Sequence, residues 1–354
     1  MVRRSVIILD FANIGKKQAV LSLLTEANRV INVFIQRLWS EQKYTGKFAN
    51  LKTETWLSAR LQQACGKQAL EIVKSQRKRK LKTKPVYKKL CICLDSRFIA
   101  FLETKNSFDC WIKLGSTGTE ILHLPAKKHR HFNQFIDQGW KLKGSTRLLT
   151  KGDQIVLEVL LEKDGPGLRS EGKEIGIDLG YRKLLATSEG QFHGQKFKEL
   201  AEKIQRKRQG SKAFKRALIE RNEFVNKTVK ELPWPELKTI AVENLKGLKN
   251  GRRFSKQFQA KFQRWTYPVV LKRLEQRCEV DGVHCHRVAP AFTSQTCPQC
   301  KARDKRSRNG ESFKCTACGY AADADFVGSL NILQRFRESN KPPEYMDPVQ
   351  KADP

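Results

Sequence analysis

The hydrophobic pattern of the chain changes its period several times, and each change predicts a different kind of element. Residues 2–11 form a short apolar run that predicts a strand. From about 17 to 80, apolar residues recur every three or four positions, which predicts helices. From 86 to 163, short alternating or β-branched runs are separated by Gly, Ser, Asp and Asn. Strands at this spacing predict a small β-barrel, which the first strand joins, so that the helical section is an insertion.

The second half of the chain follows a different pattern after the Gly-Pro segment at 165–168. Three short strand-like runs come first, and helices then alternate with two further strands. This is the order of the RNase H-like fold, in which the first and fourth strands are neighbours. The predicted strands lie at 174–180, 183–188, 191–194, 237–245 and 283–290, one long helix follows the third strand, and the last helix runs from about 325 to 337.

Two of these predicted strands carry a carboxylate in an otherwise apolar run. Asp178 lies in IGIDLG, and Glu243 lies near the end of IAVENL. A charged side chain among apolar neighbours costs free energy unless something compensates it. The alternative for Asp178 is an ordinary residue at a strand end that reaches water beside Gly180. Neighbouring first and fourth strands would nevertheless allow Asp178 and Glu243 to meet.

The start of the last helix supplies a third carboxylate. Asp325 precedes the apolar helical run, and Asp323 competes for the same role. The helical order favours Asp325, and Asn331 on the same helix would support the site from behind. Three converging carboxylates repel one another unless cations lie between them. The trio therefore predicts two Mg²⁺ or Mn²⁺ ions and phosphodiester hydrolysis, with Asp178, Glu243 and Asp325 as metal ligands and catalytic residues.

Two Cys-x-x-Cys pairs lie just before the last helix and are separated by fourteen residues. Thiolates at this spacing bind one tetrahedral Zn²⁺, and four protein ligands make such a site structural rather than catalytic. The other cysteines lie in apolar or amphipathic runs and are interpreted as small core residues in a reducing compartment. For His284 and His286, a core or surface role is favoured over metal ligation. The predicted zinc ligands are Cys297, Cys300, Cys315 and Cys318.

Charge changes the picture more than any other bulk property. The 354 residues include 69 Lys and Arg against 36 Asp and Glu, a formal net charge of +33. This excess favours a nucleic-acid partner over a ribosomal-type role or a membrane surface, and no apolar run approaches the roughly 18 residues of a membrane span. Each basic cluster has the alternative of a solvated surface. The candidate nucleic-acid contacts are Arg77, Lys78, Arg79, Lys80, Arg206, Lys207, Arg208, Arg252, Arg253, Arg306 and Arg308.

Together these patterns predict a multidomain α+β chain, with an RNase H-like domain that carries an inserted zinc ribbon and a small β-barrel that carries a helical insert. The N-terminal apolar run is too short for a signal peptide, so we expect a cytoplasmic, nucleoid-associated protein. The predicted boundaries are 1–16 for the first barrel strand, 17–84 for the helical insert, 85–165 for the rest of the barrel, 171–290 for the first part of the RNase H-like domain, 291–321 for the zinc ribbon, 322–340 for the last helix and 341–354 for a disordered tail.

Three segments of the second half resemble a known family. IGIDLG, IAVENLKGL and TSQTCPQC…FKCTACGYAADADFVGSLNIL are similar to motifs of the TnpB (OrfB) family, the transposon-encoded relatives of type V CRISPR effectors. The resemblance covers roughly 174–338, and the first half agrees only in architecture, a helical recognition insert within a wedge-like barrel. One departure is that Val327, Gly328 and Ser329 replace the family's Asn-Ala-Ala, which keeps small residues at two of the three positions.

The resemblance implies a RuvC nuclease whose metal-binding triad is the carboxylate trio. It also implies a guide RNA transcribed from the transposon end and a double-stranded DNA target, contacted also as single strands, beside a short motif. Three other functions stay open: a miniature type V CRISPR effector, a nucleic-acid-binding repressor without cleavage, and a transposase acting on transposon ends. The intact trio argues against the repressor, and no separate signature of DNA joining supports the transposase.

Overall fold

The computed structural model describes residues 1–41, 51–79, 81–102, 108–128, 130–245 and 267–339. The chain divides into two compact units, Met1–Asp164 and Gly165–Pro354, and each has an apolar core of its own. The division falls at the start of the Gly-Pro segment. No helix within the described ranges is long and apolar enough to cross a membrane. The tail at 341–354 lies outside the described residues, so its predicted disorder stays a prediction.

The described strands of the first unit form two antiparallel sheets. They are β1 (Val2–Ile8), β2 (Cys91–Asp95), β3 (Ile99–Leu102), β4 (Cys110–Leu114), β5 (Leu122–Ala126), β6 (Lys141–Lys151) and β7 (Gln154–Glu162). One sheet has the order β1–β7–β6–β2, and the other has the order β3–β4–β5. These two open sheets differ from the single small barrel expected from the sequence. The two sheets part at the turn between β2 and β3, which a 3.0 Å bond from the Phe98 N–H to the Asp95 carbonyl closes.

The helices of the first unit lie mainly where the apolar period predicts them. Those described are α1 (Ile14–Ser40), α2 (Ala59–Lys78) and the short α3 (Arg130–Asp137). α1 begins after Asn13, whose Oδ1 accepts a 2.9 Å bond from the N–H of Lys16. α2 begins after Ser58, whose Oγ accepts a 3.1 Å bond from the N–H of Leu61. Such caps satisfy backbone donors that have no partner inside the helix, and α1 and α2 share one apolar core with the strands.

The second unit is built on a mixed five-stranded sheet. Its strands are β8 (Lys173–Asp178), β9 (Leu185–Thr187), β10 (Phe192–His193), β11 (Leu237–Glu243) and β12 (His284–Val288). Their spatial order is β10–β9–β8–β11–β12. β8, β9 and β10 pair antiparallel, whereas β11 is parallel to both β8 and β12. The first and fourth strands of this unit are therefore neighbours, as the sequence predicts.

Helices pack against this sheet. Those described are α4 (Phe197–Gln205), α5 (Lys212–Lys230), α6 (Tyr267–Asp281) and α7 (Ala324–Ser339). The long helix expected after the third strand is α5, and the shorter helix α4, which precedes it, was not predicted. Gly210 adopts a φ of +84° between them, and the Oγ of Ser211 caps the second helix by accepting a 3.0 Å bond from the N–H of Phe214. The helix α4 has already ended at its C-cap Arg206, and the serine cap starts α5.

A small three-stranded sheet lies between β12 and α7 along the chain. Its strands are β13 (Arg308–Asn309), β14 (Ser312–Lys314) and β15 (Ala321–Asp323), and they pair antiparallel in that order. β15 ends at Asp323, and α7 begins at the next residue, Ala324. The four cysteines and the first turn of α7 therefore belong to one continuous stretch of structure.

Candidate functional site

The sheet brings two of the predicted carboxylates to one edge. Asp178 is the last residue of β8, and Glu243 is the last residue of β11. The two strands are parallel, and their register pairs Ile177 with Val242, the residues just before the two acids. The carboxyl ends of neighbouring parallel strands lie side by side, so both carboxylates project at the same edge.

The first turn of α7 carries the third carboxylate. Asp325 is buried, whereas Asp323 lies just before the helix. The Oδ1 of Asp323 accepts bonds from the N–H groups of Asp325, at 3.0 Å, and Phe326, at 3.2 Å. Its Oδ2 pairs with the ammonium of Lys183. Asp323 is therefore engaged as the helix cap, and Asp325 is the acidic residue of this turn whose charge acts on Asp178.

Two glycines allow α7 to lie directly on β8. A methyl group on Gly176 would come within 2.8 Å of the backbone nitrogen of Leu333 and closer still to the carbonyl of Ser329. A methyl group on Gly328 would lie 2.7 Å from Oδ2 of Asp178. The carboxylate of Asp178 thus rests against the helix one turn beyond Asp325. Small residues in the segment Val327–Gly328–Ser329 preserve the close packing that the sequence comparison with the family predicts.

Glu243 is held by residues that follow β12. The hydroxyl of Thr293 donates to Oε1 of Glu243. The buried side chain of Asn331 donates in turn to the carbonyls of Thr293, at 2.7 Å, and Thr296, at 2.8 Å. Asn331 therefore supports the site from behind through Thr293, as the sequence suggests for this asparagine. Thr293 itself was missed because its approach depends on a turn that has no hydrophobic period.

One cation from the small sheet reaches the trio. Arg308, at the start of β13, donates from Nη2 to Oδ1 of Asp325 at 3.1 Å. Its Nε donates to the carbonyl of Gly310 at 3.2 Å. The guanidinium of Arg308 lies beside the carboxylates, and its contact with nucleic acid stays a prediction.

The electrostatics of the trio favour bound protons or cations. Burial, followed by the charges of Glu243 and Asp325, raises the pKa of Asp178 well above its ordinary value, against the opposing charge of Arg308. Burial also raises the pKa of Glu243 and of Asp325. The bond from Thr293 opposes the shift at Glu243, and Arg308 opposes it at Asp325. The charges of both other carboxylates therefore act on the pKa of Asp178, so Asp178 lies near each of them.

The donor chemistry of the trio suits hard divalent cations. Carboxylate oxygens are the ligands that Mg²⁺ prefers, and a bound cation would offset both the burial of the three carboxylates and the repulsion that Asp178 receives from the other two. Among the residues that the structure describes, the four cysteine sulfurs lie within 4.8 Å of one another. The carboxylate oxygens of the trio are farther apart and do not form such a compact group. Two ions about 3.5–4 Å apart need a wider set of ligands than one ion does.

The four predicted zinc ligands form a compact cluster. The sulfurs of Cys297 and Cys318 are 3.6 Å apart, as are those of Cys300 and Cys315, and all four lie within 4.8 Å of one another. A tetrahedron with Zn–S bonds of about 2.3 Å has edges of about 3.8 Å, so the cluster has the size that zinc requires. None of the four is in a disulfide.

Each Cys-x-x-Cys pair is followed directly by a residue with left-handed backbone conformation. Lys301 has a φ of +63° and donates its N–H to the carbonyl of Cys297 at 3.1 Å. Gly319 has a φ of +76° and donates in the same way to Cys315 at 3.1 Å. The N–H of Cys318 lies 3.5 Å from the sulfur of Cys315 and is the largest of several causes that lower the pKa of that thiol to about 6, while the neighbouring thiols contribute to raising the pKa of Cys318 to about 12. A lowered pKa favours the thiolate, which is the form that binds metal.

The other predicted nucleic-acid contacts fall into different settings. Arg77 donates to the carbonyls of Leu38, at 2.9 Å, and Glu41, at 2.5 Å, so it closes the end of α1. Arg306 pairs with Asp304 at 2.7 Å on the small sheet's surface. The remaining described candidates are exposed side chains: Lys78, Arg79, Arg206, Lys207 and Arg208. The other three, Lys80, Arg252 and Arg253, lie outside the described residues.

Comparison with known proteins follows the same segments. The profile of the Cas12f1-like TNB domain matches residues 268–332, which include all four cysteines, Thr293, Arg308 and Asp325. An endodeoxyribonuclease of Sulfoacidibacillus thermotolerans named Cas12f1 is 35% identical over 96 residues, which is 27% of this chain and 21% of that protein. A Methanocaldococcus jannaschii protein whose name describes it as a candidate transposase is 34% identical over 71 residues, 18% of this chain and 65% of that protein. Residues 268–332 of this chain are thus similar to the TNB domain of Cas12f1-like proteins, and the chain resembles both a type V effector and a candidate transposase.

The fold of this chain also resembles a solved structure. A Cas12f1 structure, described as a complex with sgRNA and target DNA, aligns with a TM-score of 0.56 at 14% identity, over 89% of this chain and 82% of that one. At this identity the likeness concerns the fold alone. The segments matched by sequence span about a fifth of the Cas12f1 relative and two thirds of the candidate transposase.

Proposed function

We propose that this protein is an RNA-guided DNA endonuclease that hydrolyses phosphodiester bonds at the carboxylate trio. The observation that carries the proposal is the meeting of Asp178 and Glu243 at neighbouring strand ends, with Asp325 facing them from α7. Each acid comes from a different part of the chain, and their raised pKa values mark a site that cations would stabilise. The strand order of the second unit supports its assignment to the RNase H-like, RuvC type.

The chain's own residues divide the work of this site. Asp178, Glu243 and Asp325 would hold two Mg²⁺ or Mn²⁺ ions, which activate water and stabilise the leaving 3′ oxygen when bound. Thr293 fixes the orientation of the Glu243 carboxylate. Arg308 neutralises part of the charge on Asp325. Its guanidinium would also lie next to the bound phosphate of the substrate. Close packing at Gly328 fixes the position of Asp178.

The cysteine cluster has a separate, structural role in the proposal. Cys297, Cys300, Cys315 and Cys318 would bind one Zn²⁺ with no position left for a substrate, since all four ligands are thiols of the protein. The ion would hold together a small sheet that has little apolar core of its own. Because β13 carries Arg308 and β15 leads into α7, the zinc would stabilise one side of the cleavage site.

A guide RNA and a DNA target are the proposed partners. The formal charge of +33 supplies electrostatic affinity for phosphates, but a charge excess carries no sequence information. The solved relative with the same fold is described with an sgRNA and target DNA, which supports delegation of sequence choice to a guide. RNA that remains bound at high salt would identify its origin, a transposon end or a CRISPR repeat.

Replacement of Asp178 by Ala tests the proposal. Purified protein with its copurified RNA is incubated with Mg²⁺ and a matched DNA, and strand scission is measured with binding in parallel. We expect Asp178→Ala to reduce cleavage by at least about a thousandfold while RNA and target binding persist, because one ligand of the metal pair is lost. Asp153→Asn, an exposed acid in the turn between β6 and β7, is the control. Unchanged scission in Asp178→Ala, or scission without divalent cations, would contradict the mechanism.

A further inference from the structure

A cavity between α4 and α5 lies outside both sites described above. Its volume is about 270 Å³, and none of its lining residues belongs to the carboxylate trio or the cysteine cluster. Ile204, Phe214 and Leu218 form an apolar floor, with Ile204 buried and the other two partly buried. This volume is at the small end of the range for ligand pockets, which suits a single small group rather than a large molecule.

The guanidinium of Arg221 lines one wall of the cavity and has no acidic partner among the described residues. Arg221 is half-buried, and its Nη2 and Nε donate to the neutral side-chain oxygen of Asn222 at 3.0 and 3.3 Å. No carboxylate among the described residues lies within ion-pairing distance of Arg221. The nearby Lys203 is different, because it pairs with Glu220 at 2.8 Å. A guanidinium stays charged, so partial burial without a counterion leaves a site prepared for an anion.

The rim adds further groups of the same kind. Lys207 lines the cavity and is exposed, and within the described ranges no acid pairs with it. The side-chain amides of Gln205 and Gln209 also line the cavity. Arginine binds phosphate through parallel N–H donors, whereas lysine contributes a point charge. Amides offer both donors and acceptors, as recognition of a polar base edge requires.

We propose that this cavity binds one unpaired nucleotide of a nucleic-acid strand, with its phosphate on Arg221 and Lys207 and its base against Phe214. An isolated phosphate would leave the apolar floor unused, whereas an apolar ligand would leave Arg221 without a counterion. A nucleotide satisfies both, since bases stack on aromatic rings and carry an anionic backbone. The nucleotide must be unpaired, because bases inside a duplex are not available for stacking. The proposal shares with the proposed function only that the ligand is nucleic acid.

Two matched double variants test the site. Lys207→Gln/Arg221→Gln removes two charges from the cavity, and Lys215→Gln/Arg216→Gln removes two exposed charges from the same helical pair. Full-length protein is titrated without added divalent cations into fluorescent 15-residue oligo(U) or oligo(dT) at two salt concentrations. Each double variant should reduce the salt slope similarly, since each removes two cations. The cavity variant should lose at least about tenfold more affinity, because it also loses a seated nucleotide.

The same affinity loss in both double variants would overturn the proposal, because it would indicate only general electrostatic attraction. Arg221→Lys keeps the charge but removes the forked donor, so we expect an intermediate loss if phosphate is bound there. Phe214→Leu keeps an apolar floor without an aromatic face and should remove photocrosslinking of 5-iodouridine to α5. A crosslink that survives in Phe214→Leu counts against the seated base.

The two oligonucleotides identify the strand that uses the cavity. A cavity-specific loss with oligo(U) alone indicates RNA, and a loss with oligo(dT) alone indicates DNA. Thermal melts of each variant exclude unfolding as the cause. Cleavage by the unmodified protein is measured separately. If both double variants lose the same affinity while the unmodified protein cleaves DNA, the cavity proposal is rejected and the nuclease proposal stands. If only the cavity variant loses the extra affinity but the unmodified protein does not cleave, only the nuclease proposal is rejected.

Discussion

At the scale of single residues, the carboxylate trio depends on neighbours that make no contact with the substrate in our proposal. Asp323 caps α7 and pairs with Lys183, so both of its carboxylate oxygens already have partners within the protein. Thr293 holds Glu243, and Asn331 holds Thr293. Supporting bonds of this kind commonly change metal affinity or activity by about 10–100-fold when they are removed. The geometry of the acids is therefore a property of at least two layers of side chains.

Thr293→Val tests that support. The valine has nearly the same shape but leaves Glu243 without its hydroxyl donor, and the loss of that bond should raise the pKa of Glu243 further. We expect the Mg²⁺ concentration for half-maximal cleavage to rise about tenfold or more. Thr293→Ser retains the hydroxyl and should behave nearly like the unmodified protein. If the serine and valine variants are equally impaired, the methyl group matters and the hydrogen bond does not.

The raised pKa of Asp178 predicts an unusual dependence of stability on pH. Its ordinary value is 3.8, and the folded value lies well above it, so from about pH 4 upward the folded state binds more protons than the unfolded state. Stability without divalent cations should therefore fall as pH rises through this window, relative to an Asp178→Asn variant.

Mg²⁺ should reverse this trend, because it binds the ionised carboxylates and competes with protons. We expect the rise in melting temperature on adding Mg²⁺ to be larger at pH 8 than at pH 5.5, measured by differential scanning fluorimetry. A Mg²⁺ effect that is equal at both pH values, or equal in Asp178→Asn, would argue against metal binding at Asp178.

At the scale of elements, the second unit depends on how closely α7 approaches β8. Gly176 has no side chain on the face that meets α7, and any Cβ there would overlap the helix backbone. Because backbone atoms cannot rotate away as a side chain can, the helix must move if a methyl group is added. That movement would carry Asp325 and Gly328 away from Asp178. Packing and site geometry are thus fixed by the same contact.

Gly176→Ala should cost about 3 kcal/mol of unfolding free energy and also reduce cleavage. Chemical denaturation measures the first effect, and a cleavage assay at a temperature where the variant is folded measures the second. Gly167→Ala is the matched control, since nothing lies within 4 Å of a methyl group added there. A stable, fully active Gly176→Ala protein would show that α7 is free to shift on the sheet.

Removal of zinc is the corresponding test for the small sheet. Its apolar core is limited to a few residues around Phe313, so the ion should supply much of its stability. A strong zinc chelator, or Cys297→Ser, should reduce Mg²⁺-dependent cleavage severely while the first unit stays folded. The activity lost on chelation should be restored by added Zn²⁺ but not by extra Mg²⁺. Full activity with zinc removed would separate the cysteine cluster from the cleavage site.

The elements also show how far the sequence could predict the site. Asp178 and Glu243 were predictable, because strand order alone places the ends of the first and fourth strands together. The cysteines were predictable from their spacing. Arg308 and Thr293 were not assigned to the trio, because their approach depends on turns and on a three-stranded sheet too short to have a period. The long helix α5 was predicted, whereas the short helix α4 before it was not.

At the scale of the whole molecule, charge and structure support the same proposal at different levels of detail. A net charge of +33 predicts affinity for a polyanion, but it distinguishes neither RNA from DNA nor binding from cleavage. The fold adds two acids at neighbouring strand ends and a third on α7, and the four-cysteine cluster adds a candidate metal site of another kind. The basic clusters remained the least predictable feature, since Arg77 ends a helix while Lys207 lines a cavity.

The direct junction between β15 and α7 has a consequence for the cell that carries this protein. With no linker between β15 and the helix that carries Asp325, a shortage of zinc for the cysteine cluster would also stop the Mg²⁺-dependent cleavage that we propose. Under zinc starvation, newly made copies would bind nucleic acid through their positive charge yet leave it uncut. DNA breakage by such a protein would follow the zinc status of its host.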